Sequence, residues 1–411
     1  MRPLGDETWM RPRAGVGCGG VSDLDAVWAF AVAGVVALAV TPFIARLAQR
    51  VGAVDAPKER SLHTAPTPRL GGLAIFAGVL VAGLLFMPEG EQTRGILLGV
   101  VAIVLVGALD DVYDLHPAIK LLGQVAAAVI PVAMDVRVEN LTLPFVDPIE
   151  LPDSGGVVTV VGIVAMMNVV NFSDGQDGLA AGVCAISAGT FAVIALSLDR
   201  TDAGILAALS AGAAVGFLVW NFPPARIFMG DSGSNLLGLL LACVAIQGVL
   251  KTAAVVALVF PLVILAVPIL DTGFVLAKRI KYRQPVYRAD AEHFHHRFDR
   301  IGFSPRRTVL YLYGWTLSLA ALALALRFVP YSDNNGHLDL GWSLLVVAFA
   351  LVALAASVYL VLVLEILKFR RFRERQLRKE ALEHGETPDP DTIEHEIVRE
   401  VETGDFEALG R

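Results

Sequence analysis

Cysteine is scarce, with three in 411 residues. Cys18, Cys184 and Cys243 are odd in number and scattered, which excludes a disulfide framework and any thiolate metal site with regular spacing. Charge is also scarce. Asp, Glu, Lys and Arg make up 18% of the chain, where about 25% is usual. No signal peptide with a cleavage pattern is evident, and residues 1–23, polar and glycine-rich, are expected to be a disordered segment. Lys and Arg are nearly missing from one set of loops, which later fixes the expected orientation.

Apolar residues fill the gap. They make up 55% of the chain, against about 45–50% in soluble proteins, and mean hydropathy is +0.63. Several runs reach about 18 apolar residues, enough to span a bilayer. The sequence therefore predicts an all-α polytopic membrane protein with about eleven spans: 24–48, 71–88, 94–109, 118–135, 156–170, 178–198, 202–219, 233–250, 253–277, 307–328 and 342–367. Residues 24–368 form the expected transmembrane domain, and 369–411 a basic, then acidic, cytoplasmic tail. Residues 136–151 alternate apolar and polar side chains and predict a short external β-hairpin.

Basic residues cluster in the connections holding Arg46 to Arg69 and Lys278 to Arg307, and after the last span. With eleven spans these regions share one side, and the positive-inside rule makes that side cytoplasmic, with the N-terminus outside and the C-terminus inside. The net charge of −7 mixes a basic membrane face with an acidic tail, so it says little about partners, and no nucleic acid is expected.

Every unusual polar cluster falls on that cytoplasmic side. They are Asp55 to His63 with Thr67-Pro-Arg-Leu-Gly-Gly72, then Asp110-Asp111-Val-Tyr-Asp114, Asn168 to Gly178, Asn221 to Ser234, and Asp290 to Arg297. Random turn chemistry would divide between the two faces. Asn168-Val-Val-Asn171-Phe-Ser-Asp174-Gly-Gln-Asp177-Gly178 carries hard oxygen donors suited to Mg²⁺ and glycines that let backbone approach a ligand; its plain reading is an inter-helix turn. Asp110, Asp111 and Asp114 can converge on one helical turn. A cation would relieve their repulsion, and the plain alternative is a hydrated acidic cluster. Lys120 opens the next span, as a snorkelling anchor or a point charge for a lipid phosphate. Asp231 begins a span whose exposed amides would favour an anion such as phosphate. His293, His295 and His296 lack Cys or acidic partners for zinc. With Arg288 and Arg297 they suit an anion, unless they are ordinary surface residues. Asp271 lies within a span, as a functional carboxylate or a structural partner.

These loops together resemble the polyprenyl-phosphate N-acetylhexosamine-1-phosphate transferases, glycosyltransferase family 4, over about residues 40–310. The His-Phe-His-His-Arg297 run is similar to the N-acetylglucosamine branch. The resemblance implies transfer of N-acetylglucosamine 1-phosphate from UDP-GlcNAc to undecaprenyl or decaprenyl phosphate in the bacterial inner membrane. UMP is released, and the product starts a lipid-linked cell-envelope glycan. The implied cofactor is Mg²⁺, or Mn²⁺ in its place. By resemblance Asp231 and Asn171 hold the metal, and Asp110, Asp111, Asp174, His295 and His296 are catalytic. Asp177 and Phe228 meet the uracil, Lys120 the acceptor phosphate, and Arg297, His293, Asp114 and Arg69 also touch substrate. Asp55, Arg60, His63, Asn168 and Asp271 form a second rank. A homodimer follows by analogy alone. The alternatives are the same chemistry on another UDP-sugar, including UDP-MurNAc-pentapeptide, or an aspartate-rich intramembrane prenyltransferase. A transporter or flippase would place polar groups at mid-membrane, often with an internal repeat, and neither is evident.

Overall fold

A computed structural model describes residues 23–55, 66–141, 149–151, 154–248, 304–331 and 339–357. The described residues form ten main helices: α1 Asp23–Val51, α2 Gly72–Phe86, α3 Glu91–Tyr113, α4 Pro117–Ala133, α5 Gly155–Ser173, α6 Leu179–Ser197, α7 Thr201–Asn221, α8 Gly230–Gly248, α9 Pro305–Phe328 and α10 Leu340–Ser357. Seven of these (α1, α3, α5, α6, α7, α9 and α10) are long and apolar enough to cross a membrane. The expected span 253–277, and with it Asp271, lies outside the described residues, as do Arg60, His63, His293, His295, His296 and Arg297.

Lipid gives apolar helices no hydrophobic reason to associate, so contact depends on small residues that let backbones approach. α1 and α7 meet in this way. Ala26, Ala29, Ala33 and Ala37 are buried on one face of α1. A Cβ at Gly212 or Gly216 of α7 would collide with the carbonyl of Phe30 or Gly34. α6, α7 and α8 form the interior. Every residue of α8 from Ser232 to Ile246 is buried, whereas α10 and the outer face of α1 present Leu, Val and Trp side chains outward. Cys184 and Cys243 are buried and free.

The helix ends follow local rules. Pro117 opens α4 behind His116, whose ring nitrogen accepts from Ala118 N–H at 3.3 Å. α3 stops where Asp114 turns left-handed at φ 49°. Two short antiparallel pairs accompany the helices. Asn140–Leu141 pairs with Ile149–Glu150, within the hairpin region expected from the alternation. Val54–Asp55 pairs with Thr67–Pro68, which the sequence reading did not anticipate because each strand is only two residues long.

One end of the bundle is polar and tied together. It gathers the C-terminal ends of α3, α5 and α7 with the N-terminal ends of α2, α4, α6, α8 and α9. The other end holds Gln92, Asp135 and Gln247. Of the expected loop clusters, those within the described residues therefore share one end.

Candidate active site

The centre of the polar end is an ion-paired group. Lys120, on the first turn of α4, sets its ammonium between two carboxylates. It lies 3.3 Å from Asp110 Oδ2 on α3 and in direct contact with Asp231 Oδ2 on α8. All three are half-buried, so the pairing is screened less than at an open surface. Asp110 Oδ1 accepts from Leu115 N–H at 2.9 Å, which holds the α3–α4 turn. Asn171, on the last turn of α5, donates from Nδ2 to Asp231 Oδ1 at 2.8 Å and to Ser234 Oγ at 2.9 Å. Four helices thus converge on Asp231.

Asp111 faces elsewhere, although it is the next residue after Asp110. Its Oδ1 accepts from Asp231 N–H at 2.7 Å, and its Oδ2 accepts from Ser232 N–H at 3.1 Å and from the Ser232 hydroxyl at 2.8 Å. The carboxylate therefore caps the N-terminus of α8 from another helix and satisfies amides that would otherwise be orphaned. This corrects the expectation that those amides lie open to a phosphate, because the protein supplies its own anion. The fit is close. Asp111 carboxylate oxygens fill the space where a Cβ on Gly230 would stand, and a Cβ on Gly107 would lie 2.5 Å from Ser232 Cα.

A second set of contacts builds the rim. Phe228 N–H donates to Pro68 O at 2.8 Å, Gly71 N–H to Phe228 O at 3.0 Å, and Gly72 N–H to Met229 O at 2.8 Å. The Thr67–Gly72 segment is thereby docked along Phe228-Met229. Asp177 Oδ2 accepts from Ala225 N–H at 2.8 Å. Asn221, 2% exposed, accepts from Gly178 N–H and donates to Ile227 O, each at 2.9 Å. The Asn168–Gly178 and Asn221–Ser234 stretches are therefore joined by side chains of both. Gly178 is left-handed at φ 74° where this loop enters α6. From α9, Tyr313 Oη donates to Gly178 O and Arg306 Nε to Pro223 O. Arg69 pairs with Asp55 at 3.2 Å and reaches Asp114 at 3.9 Å, where Asp114 is almost fully exposed.

Asp174 follows α5 in this loop. Burial pushes its carboxyl well above the usual range, and the Asp111 and Asp177 carboxylates add to the shift. The site is thus rich in carboxylate around one ammonium. Among the described residues, no three His, Cys, Asp or Glu side chains form a closed metal cage. Mg²⁺ is usually held by one or two carboxylates together with substrate phosphates. Asp231 and Asp110 are donors of the right kind, and their shared ammonium shows that the spot accepts positive charge. Asn171 presents its NH₂ to Asp231, so its oxygen would have to turn before it could bind a metal.

Of the residues named from the sequence, the structure brings together Asp110, Asp111, Lys120, Asn171 and Asp231. It places Asp174, Asp177 and Phe228 in the adjoining loops, and Arg69, Asp55 and Asp114 at the rim. Asn221, Ser232 and Ser234 were named only as part of a polar cluster, with no role of their own, and Asn235 was not singled out. The available signal was a polar residue recurring within or beside an apolar run, which by itself does not reveal a partner.

Comparison with known proteins gives an independent account of the chain. Residues 93–249 match the sequence profile described as Glycosyl transferase family 4. A Bacillus subtilis (strain 168) protein named probable undecaprenyl-phosphate N-acetylglucosaminyl 1-phosphate transferase is 40% identical over 303 residues, covering 72% of this chain and 84% of its own length. Decaprenyl-phosphate N-acetylglucosaminephosphotransferase of Mycobacterium leprae (strain TN) is 35% identical over 332 residues, covering 73% and 83%. Phospho-N-acetylmuramoyl-pentapeptide-transferase of Desulforudis audaxviator (strain MP104C) is 36% identical over 331 residues, covering 72% and 95%.

Proposed function

The chain belongs to glycosyl transferase family 4, among the polyprenyl-phosphate sugar-1-phosphate transferases, and from that membership we propose that it moves N-acetylglucosamine 1-phosphate from UDP-GlcNAc to a membrane polyprenyl phosphate, releasing UMP. The observation that carries the reading is Lys120 held between Asp110 and Asp231 where four apolar helices end. A cation held between carboxylates, next to a membrane, suits an anionic lipid meeting a diphosphate.

An oxygen of the lipid phosphate attacks the sugar-bearing phosphorus of the donor. A new P–O bond forms, the bond to the UMP oxygen breaks, and UMP leaves with that electron pair. Such transfer depends mainly on positioning and on charge neutralisation. Mg²⁺, held by Asp231 with Asn171 or Asp110, would offset the diphosphate charge when bound. Lys120 neutralises the acceptor phosphate as it enters, exchanging its hold on Asp231 for the incoming anion. Asp110, beside that ammonium, takes any proton the acceptor phosphate still carries. Asp111 holds Asp231 in place through the start of α8. The two adjoining loops that bear Asp177 and Phe228 receive the uracil. His295, His296 and Arg297 are assigned to the donor diphosphate or the sugar by family resemblance alone. Direct attack is preferred to an aspartyl intermediate because the acceptor is already an anionic nucleophile.

With eleven spans and the basic loops inside, the site faces the cytoplasm, where UDP-sugars are found, with the N-terminus outside and the C-terminus inside. The enzyme would then act at the bacterial inner membrane, with a homodimer as the expected assembly. The muramoyl-pentapeptide relative favours testing that donor too. Purified protein is given polyprenyl phosphate and a panel of UDP-sugars, with Mg²⁺ added or chelated, and UMP is measured. UMP release with UDP-GlcNAc, lost on chelation, is expected. Release only with UDP-MurNAc-pentapeptide would move the assignment to that branch, and no release with any donor would overturn it. A trapped aspartyl enzyme bearing sugar phosphate would overturn direct attack.

A further inference from the structure

Beneath the ion-paired group, three amide side chains meet inside the helix bundle. Asn168 Nδ2, on α5, donates to Gln124 Oε1, on α4, at 2.9 Å. Gln124 Nε2 donates to Asn235 Oδ1, on α8, at 2.8 Å. Asn235 Nδ2 donates to the Asp231 carbonyl at 2.8 Å, and Asn168 Nδ2 also reaches Val164 O at 2.8 Å. Gln124 and Asn235 are each 1% exposed. Within the chain, Gln124 and Asn235 each use their oxygen as acceptor and their NH₂ as donor, so its direction is fixed.

The spacing gives the chain its meaning. Gln124 lies four residues after Lys120, Asn235 four after Asp231, and Asn168 three before Asn171. On a helix these separations put each amide about one turn from its partner and on the same face. Each helix that brings a side chain to Asp231, or carries Asp231 itself, is therefore pinned to the next about one turn deeper. α3 is the exception, because Asp111 ties it directly to the start of α8. Apolar side chains would fill this position without amides to satisfy, so the amides are better explained by what they specify. Buried polar contacts between helices can fix register at some expense of stability. A slip of one residue along a helix moves a side chain by about 1.5 Å and turns it by about 100°.

We propose that Gln124, Asn168 and Asn235 are positioning residues: an intramembrane amide chain that holds Lys120, Asn171 and Asp231 at a common depth for phosphoryl transfer. The assignment rests on the transferase reading above. The two loops assigned to the uridine are anchored separately, by Asn221 and Asp177, so loss of the amide chain lowers turnover far more than nucleotide binding.

The test uses Gln124→Leu, Asn235→Leu and the double variant, with three readouts: kcat for UMP release, calorimetric binding of UDP-GlcNAc, and melting temperature. Each single variant leaves a buried amide without its partner and is expected to melt lower. The double variant removes both groups, and Asn168 keeps Val164 O, so its melting temperature recovers. Its kcat stays down by about 10²-fold, the loss expected from a misplacement of about 1 Å, while UDP-GlcNAc binding weakens far less than turnover. Wild-type turnover in the double variant would overturn the proposal, as would a loss of turnover that follows melting temperature across all three variants. A wild-type protein that neither binds UDP-GlcNAc nor releases UMP counts against the transferase reading alone. The melting temperatures still test the chain in that case, and additive losses in the double variant would overturn it.

Discussion

Asp110 and Asp111 are adjacent and chemically identical, yet their surroundings assign them different work. Asp111→Asn separates the two. The wild-type carboxylate accepts three hydrogen bonds from the first residues of α8. An amide has one oxygen, so if it keeps the two Ser232 donors, its NH₂ must face the N–H of Asp231. One buried donor is then unsatisfied, at about 1–3 kcal/mol. Losing the negative charge at a helix N-terminus removes about 0.3–1 kcal/mol more. Relief from burying a charge offsets part of this, leaving about 2 kcal/mol of net destabilisation. In a chain of 411 residues, that is a fall of about 2 °C in melting temperature. Turnover should fall by about 10²-fold as well, because the displaced N–H belongs to Asp231 itself. Asp110→Asn is the control. It removes the charge facing Lys120 but can keep Leu115 N–H, so it should lose turnover while melting near wild type. Thermal melts and UMP release on both variants in detergent decide the matter. An inactive Asp111→Asn that melts like wild type would refute the capping argument and make Asp111 a group acting on substrate. Full turnover would refute it equally.

Lys120→Met leaves Asp110 and Asp231 without their shared cation, and kcat for UMP release should fall by about 10²-fold; wild-type turnover would remove Lys120 from the mechanism. Asn221→Leu leaves the Gly178 N–H and the Ile227 carbonyl without their side-chain partner, at about 1–3 kcal/mol for each group left unsatisfied, and should lower the melting temperature and raise KM for UDP-GlcNAc more than it lowers kcat. Gly107→Ala forces a methyl against the backbone of Asp231 and Ser232, so about 1–3 kcal/mol of destabilisation should accompany lost turnover, measured by melting and by UMP release.

Apolar runs and their polar interruptions delimited several helices, but α3, expected to stop at 109, runs to Tyr113 and so carries Asp110 and Asp111. α2 was expected over 71–88 and spans Gly72–Phe86, and α6 was expected over 178–198 and spans Leu179–Ser197. The reason is that a backbone in lipid must satisfy its own hydrogen bonds, so apolar length alone dictates a helix. The polar loops were legible for a related reason: acidic and amide residues gathered at span ends have few uses besides a site. Partnership was not legible. Gln124 and Asn235 lie 111 positions apart; in sequence Gln124 is a lone polar residue in an apolar run and Asn235 only the end of the Asp231–Ser234 polar run.

The amino-acid order by itself determined a membrane-embedded helical chain with its chemistry collected at one end. What only the tertiary structure decided is which carboxylate meets which partner. Successive residues on a helix point about 100° apart, so Asp110 turns to Lys120 while Asp111 turns to the start of α8. That divergence follows from how α3 packs against α4 and α8, and no local pattern of residues contains it.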